Sequence, residues 1–309
     1  MSNVPSLLSL EETSPAEVRH LLNLARQYES RRANGLQDGT FIGFLSDRAS
    51  LRTRLAVHKA SALLGKGCLD FDFGSSFYAD PARRGDHTSF VQAELASMRA
   101  LGCTALVIRT HRHATLTEWR SLTAIPLVNG CSEEEHPLQA LSDALVISGH
   151  FGGLKGVRLT LVGNGASPVF RSLLFLAART GVDLLLACPK GYGFPSALVE
   201  RAGMAPDAIQ THDIAVALAR ADVVYSDSVA YRALTEAEEE AFAPYRLEAG
   251  LVARHAADVC IMHCLPHADE IDARLLFGPQ SLVFQQVSAR VPVTAAVVDW
   301  LSTRVNLDM

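Results

Sequence analysis

The chain has 309 residues, 49% hydrophobic and 20% charged, with a formal net charge of −5. That is enough apolar chain for two globular domains with cores of their own. No basic block marks a nucleic-acid partner. The longest apolar runs, such as "SDALVIS" and "VDLLLAC", are too short to span a bilayer, so no membrane partner is expected.

The first residues, "MSNVPSLLSLEETSPAEV", offer no basic stretch leading into an apolar core, so no signal peptide is expected. The six cysteines (68, 103, 131, 188, 260 and 264) lack framework spacing, which fits free thiols in a cytoplasmic protein.

In chain order, "SPAEVRHLLNLARQYESRR" carries a Ser14 cap, Pro15 in the first turn and Glu17 three residues after the cap. With apolar residues at helical spacing, this predicts a helix. "TFIGFLS" reads as a strand, "LRTRLAVHKASALLG" as a helix ending at Gly65, "TSFVQAELASMRALG" as a helix and "CTALVIRT" as a buried strand. "IPLVNG" is a further strand, and the helix after it should begin near His136.

The order then repeats. Strand "GVRLTLVGNG" precedes helix "PVFRSLLFLAART", and strand "DLLLACP" precedes helices around "PSALVERAG" and "DIAVALAR". Strand "DVVYSD", an acidic helix "LTEAEEEAFAPY" and strand "DVCIMHCL" follow, and helix "ARVPVTAAVVDWLST" closes the chain with Arg290 at its start. Such alternation specifies an α/β fold with two doubly wound parallel-sheet domains, divided near "SGHFGG".

One stretch, "IMHCLPHADE", sets His263, Cys264 and Pro266 where a strand ends, and open α/β sheets bind ligands at strand ends. Cys264 alone could equally fill core space. His263, Cys264 and His267 lack the second paired cluster of a structural zinc site, so no metal is assigned. No local signature marks the thiol as a nucleophile.

Three other clusters bear on this motif. "SLRTR" lies between a strand and a helix, where free backbone N–H groups bind phosphate. Ser50 and Thr53 add hydroxyls there, and Arg52 adds a bidentate fork. Arg109 ends the strand "VIRT", and His136 and Gln139 stand three residues apart in "HPLQALSD". Taken singly, such an arginine is usually a surface residue and such a histidine a polar cap.

In this order and spacing "SLRTR", "IRT", "HPLQALSD", "DVVYSD", "MHCLP" and the terminal "AR" resemble the aspartate/ornithine carbamoyltransferase family. "HCLP" resembles the ornithine branch. The resemblance implies a carbamoyl-phosphate-binding domain, 1–148 with the C-terminal helix 288–309, and an acceptor-amine domain, 149–287, with a cleft between them. It implies a homotrimer with active sites at subunit interfaces, and no metal or organic cofactor.

Carried over by position, Ser50, the Leu51 backbone, Arg52 and Thr53 would hold the phosphate. Arg109, His136 and Thr53 would polarise the carbamoyl carbonyl, and Gln139, the Leu265 carbonyl and Arg290 would surround the carbamoyl group. Asp227 and Cys264 would face an amino-acid acceptor. The expected reaction is carbamoyl transfer to ornithine or a related diamino acid. Fixed cations and donors at the two developing oxyanions would be worth about 3–4 kcal/mol per well-placed donor.

The chain also departs from the pattern. Leu51 replaces a hydroxyl, and His58 stands where a glutamate would pair with an arginine. "VGNGASPVF" lacks the two asparagines that would hold an amino acid, leaving Asn164 and Ser167 as substitutes. "SVAYRA" replaces the "SMG" loop, and there an inward Arg232 would favour an anionic acceptor. The segment 72–88, where a neighbouring subunit would donate a residue, differs as well.

Two rivals remain. One is a non-catalytic relative that binds carbamoyl phosphate or serves as an assembly subunit. The other is a nucleotide-dependent oxidoreductase, suggested by "LVGNGASP" but lacking the G-x-G-x-x-G spacing.

Overall fold

The computed structural model describes residues 4–33, 35, 38–73, 87–227 and 234–305. The chain divides into two compact units, Met1–Leu141 with Ser288–Met309, and Ser142–Val287. The first division falls inside a helix, ahead of the glycine-rich segment where the sequence suggested it.

The first unit begins with β1 (Ser6–Leu7) and α1 (Pro15–Glu29). The Ser14 capping box forms as expected: Ser14 Oγ accepts from the Glu17 N–H at 3.2 Å, and the Glu17 carboxylate accepts from the Ser14 N–H at 2.8 Å. β2 (Phe41–Ser46), α2 (Leu51–Leu63) and β3 (Gly67–Asp72) follow. Next come α3 (His87–Ala100), β4 (Cys103–Arg109), α4 (His113–Leu122) and β5 (Leu127–Cys131).

The strands form a parallel sheet in the order β1-β5-β4-β2-β3. Leu45, Leu106, Ile108 and Leu127 of the sheet pack with Val91, Leu95 and Leu116 of the helices. Strand order reverses between β2 and β4. Their carboxyl ends are therefore the place where a doubly wound sheet leaves a crevice.

α5 (Pro137–Phe151) carries the chain into the second unit. There β6 (Arg158–Val162), α6 (Pro168–Thr180), β7 (Asp183–Ala187), α7 (Ser196–Arg201) and β8 (Gln210–Thr211) come in succession. After them come α8 (Ile214–Ala219), β9 (Val223–Ser226), α9 (Glu236–Phe242), α10 (Ala249–His255), β10 (Cys260–His263) and α11 (Ala273–Leu276). The sheet is again parallel, in the order β10-β9-β6-β7-β8, and reverses between β6 and β9.

Several elements went unread in the sequence. β1 and β8 are two residues long, and β3 is a half-exposed edge strand whose "GCLDFD" shows no clean apolar period. α4 has no side-chain cap to announce it.

The last helix, α12 (Val283–Val305), starts earlier than expected because Pro292 lies inside it. An interior proline removes one backbone bond without ending a helix that is well packed elsewhere. Val293, Ala296, Val297 and Leu301 supply that packing. Arg290 therefore stands within the helix, two turns beyond its start.

Candidate active site

The carboxyl ends of β2 and β4 are tied together by Asp47. Its carboxylate accepts from Thr110 Oγ1 at 2.7 Å and from the His111 N–H at 3.1 Å, and its own N–H donates to the Arg109 carbonyl at 3.2 Å. α2 starts immediately beyond, and the Ser50 side chain at its N-cap makes no capping bond. The first amides of α2, those of Leu51, Arg52 and Thr53, lie at the positive end of a 13-residue helix. The Leu51 side chain is 68% exposed, so only its backbone can serve that end.

Thr53, His136, Gln139 and Arg290 are all buried in the first unit. Arg290 donates to Gln139 Oε1 and to Thr53 Oγ1, the latter at 3.5 Å. His136 sits just before α5, and its carbonyl accepts from the Gln139 N–H at 3.0 Å and the Ala140 N–H at 3.2 Å.

Burial holds the His136 imidazole well below its ordinary value of 6.5, and the charges of Arg290, Arg109, Arg48 and Arg52 push it further down. The charges of four guanidiniums from separate stretches of the chain thus act on one imidazole that they keep neutral. Such a concentration of positive charge suits a small dianion.

The loop that presents His136 is built by buried polar groups. Glu135 accepts from Ser9 Oγ and from the Leu10 N–H at 3.1 Å. Asn129 Nδ2 donates to the Leu8 carbonyl at 2.9 Å, and its Oδ1 accepts from the Cys131 N–H at 2.9 Å.

The arginine partner expected to be missing at His58 is supplied elsewhere. Asp70 of β3 pairs with Arg54 Nε at 2.9 Å and lies 3.2 Å from the exposed His58 Nε2.

In the second unit, Asp227 follows β9 and Ser167 caps α6. Ser167 Oγ donates to Asp227 Oδ2 at 2.5 Å and also accepts from the Val169 N–H at 3.2 Å. The structure brings these two residues together. Asn164 does not join them through its carbonyl oxygen, which accepts from the Ala166 N–H at 2.9 Å in a local turn.

His263, whose place beside the thiol raised the possibility of a metal, has another use. Its Nδ1 accepts from the Leu265 N–H at 2.8 Å, which leaves Nε2 to donate to Glu270 Oε1 at 3.0 Å. Burial raises the Glu270 carboxyl, but the bonds from His263 and the Ala268 N–H outweigh it and hold the group below its ordinary range.

Cys264 is buried, and Leu265 adopts a left-handed φ of +54°. The His263 N–H donates to Gln286 Oε1 at 2.9 Å, and Gln286 Nε2 donates to Asp143 at 2.8 Å. A cavity of about 260 Å³ lies within this unit, lined by Val162, Ser226, Glu239, Tyr245, Arg246 and Glu270 among others. Arg232 and most of the 72–88 segment lie outside the described residues.

Among the described residues no group of three or more His, Cys, Asp or Glu side chains is arranged to hold a metal. None of their helices is long and apolar enough to cross a membrane.

Residues 6–149 match the model of the aspartate/ornithine carbamoyltransferase carbamoyl-P binding domain, and residues 155–301 match the Asp/Orn binding domain of the same family. The chain belongs to this carbamoyltransferase family. An ornithine carbamoyltransferase of Sorangium cellulosum is 33% identical over 310 residues, covering 95% of this chain and 96% of that protein. One of Halalkalibacterium halodurans is 30% identical over 306 residues, covering 94% and 93%. The crystal structure of the Thermus thermophilus ornithine carbamoyltransferase superposes with a TM-score of 0.84 at 30% identity, covering 96% of this chain and 98% of that one.

The sequence reading did not single out Asp47, Arg48, Asp70, Glu135 or Glu270, whose bonds build the surroundings of these sites. Asp47 and Arg48 stand three and two residues before Ser50 of the expected "SLRTR", so the strand-end position was the available signal. Nothing local marks Asp70 or Glu270.

Proposed function

We propose that the chain transfers the carbamoyl group of carbamoyl phosphate to the side-chain amine of ornithine, giving citrulline and phosphate. The convergence of Arg52, Arg109 and Arg290 on His136, with Thr53 and Gln139 bonded to Arg290, carries this reading. In it the first unit takes carbamoyl phosphate and the second takes the amine. Ser50, the amides of Leu51 to Thr53 and Arg52 hold the phosphate.

A neutral His136 donates a hydrogen bond to the carbamoyl oxygen without being able to lose charge to it, and Arg109 and Thr53 share that oxygen. As the amine attacks the carbonyl carbon, negative charge grows on that oxygen and then on the bridging oxygen of the departing phosphate. The cations offset both. Gln139, Arg290 and the Leu265 carbonyl orient the carbamoyl nitrogen. The amine attacks in its neutral form, and the departing phosphate accepts its proton.

Asp227, with Ser167, faces the amino-acid part of the acceptor, and Cys264 packs beside the reacting amine without forming a covalent bond. Asn164 offers the Nδ2 donor that its turn leaves over, and Arg232 is assigned to the same acceptor side. The family resemblance supports a cytoplasmic homotrimer with sites at subunit interfaces.

The deciding experiment incubates the protein with labelled carbamoyl phosphate and a panel of amines that includes ornithine. Citrulline and equimolar phosphate are expected. Tight carbamoyl phosphate binding without transfer to any amine would replace this reading with that of a binding relative.

A further inference from the structure

Arg48 belongs to none of the motifs that identify the family, yet its charge is among those pressing on His136. It lies between the end of β2 and the start of α2, beside Asp47, the residue that ties the ends of β2 and β4 together.

Its anchor is a thiol. Arg48 Nη2 donates to Cys131 Sγ at 2.9 Å, and the same sulfur lies 3.6 Å from the Ser132 carbonyl. A neutral S–H satisfies both contacts, donating to the carbonyl and accepting from the guanidinium.

Cys131 cannot shift freely to another arrangement. Its backbone has a φ of +144°, where side-chain-bearing residues are strained. Its N–H is held by Asn129 Oδ1 at 2.9 Å, and its carbonyl by the Thr110 N–H at 2.9 Å. Cys131 also pairs in register with Arg109 across the sheet.

A neutral thiol fixes a guanidinium in place but does not balance its charge. Among the described residues no carboxylate pairs with Arg48, and its Nε is buried without a hydrogen-bond partner. A half-buried cation held near Arg52, Arg109 and Arg290 is repelled by all three. An anion bound among them relieves that repulsion. At the start of α2 the Leu51 side chain is exposed and carries no hydroxyl to offer a phosphate.

We propose that Arg48 is a further ligand of the phosphate dianion, anchored by the Cys131 thiol, and makes good the contact that Leu51 cannot give. The proposal rests on the reading that the first unit takes carbamoyl phosphate.

The test measures binding of inorganic phosphate by titration calorimetry alongside steady-state kinetics on the full chain. Arg48→Gln should weaken phosphate binding at least tenfold and raise KM for carbamoyl phosphate by a similar factor, with KM for the amine unmoved. Arg48→Lys should fall between, since it keeps the charge and loses the fork. Cys131→Val, which removes the acceptor, should weaken phosphate binding more than Cys131→Ser, which keeps one.

Phosphate affinity within twofold of the unaltered protein in Arg48→Gln would overturn the proposal. If that variant does not fold, the same result in both Arg48→Lys and Cys131→Val would overturn it. Should the unaltered protein bind phosphate, lose that binding in the Arg48 variants and transfer carbamoyl to no amine, the transferase reading falls while this inference stands.

Discussion

The two switch points of the molecule use their polar groups in opposite ways. In the first unit the charges of Arg48, Arg52, Arg109 and Arg290 all act on one histidine held neutral, a concentration of positive charge that suits a small dianion. In the second unit the polar groups largely satisfy one another: Ser167 with Asp227, Asn164 with its own turn, and His263 with Glu270 and Leu265. A small dianion has one shape and a fixed charge, and a rigid cluster of forks recognises it. An amino acid differs from its relatives by single methylenes or hydroxyls, which are discriminated by pocket shape and by a few bonded donors. The family model matches both units, but the sequence departs from the family's acceptor motifs much more than from its phosphate motifs.

The largest effects should therefore come from the first unit. Arg290→Ala removes a buried cation and leaves Gln139 and Thr53 without their donor. We expect kcat/KM for carbamoyl phosphate to fall by about 10²–10³, the loss typical of one preorganised donor to a developing oxyanion. An effect confined to the amine would break the contrast between the units. On the acceptor side, Asp227→Asn should raise KM for ornithine by roughly tenfold, a loss near the 1–1.5 kcal/mol of one hydrogen bond, with KM for carbamoyl phosphate unchanged.

The pH behaviour sharpens the same contrast. His136 is held well below 6.5 in the folded protein, so as pH falls the unfolded chain takes up this proton first. The stability that comes from keeping His136 neutral is complete above that value and is lost progressively as pH falls below it. His136→Gln should flatten this part of the stability curve, measured by urea unfolding between about pH 7 and pH 5, bracketing the ordinary histidine value. In kinetics, His136 should contribute no inflection near neutrality. The rate should instead climb toward alkaline pH as more of the attacking amine is neutral. An acid limb near 6.5 that disappears in His136→Gln would show a titrating histidine and overturn the electrostatic picture.

Much of this was legible in the sequence, and the gaps follow a physical pattern. The capping box at Ser14 and the exact span of α6, Pro168–Thr180, are local signals, set by caps and helical period. The residues proposed for the anion were read from short motifs, although no periodicity relates the start of α2 to Arg109, the α5 start and a residue two turns into the last helix. Arg48 escaped because its contact with Cys131 joins the loop after β2 to the end of β5, and strand order is not written in either segment. Asp70 escaped for a similar reason: from β3 it pairs with Arg54 of α2, where His58 replaces a glutamate. On the acceptor side a local bond intervenes. Asn164 had the right chemistry for a substrate, but a local backbone N–H captures its oxygen.

The smallest expected effect concerns Ser167, which has two jobs in one hydroxyl. As a cap it accepts from the Val169 N–H at 3.2 Å, and as a donor it bonds Asp227 at 2.5 Å. Ser167→Ala removes both. Loss of the cap should cost about 1 kcal/mol of stability whatever residue stands at 227, because it depends only on the first turn of α6. Loss of the donor matters only while a carboxylate is there to be oriented. A double-mutant cycle with Asp227→Asn separates the two roles. The urea midpoint should fall on loss of the cap in both backgrounds, with coupling limited to the shared hydrogen bond, whereas the rise in KM for ornithine, a few-fold for Ser167→Ala alone, should vanish once Asp227→Asn is already in place. A KM effect of equal size in both backgrounds would mean that Ser167 meets the acceptor independently of Asp227, and that the second unit leaves more of its polar surface to the substrate than its internal bonds indicate.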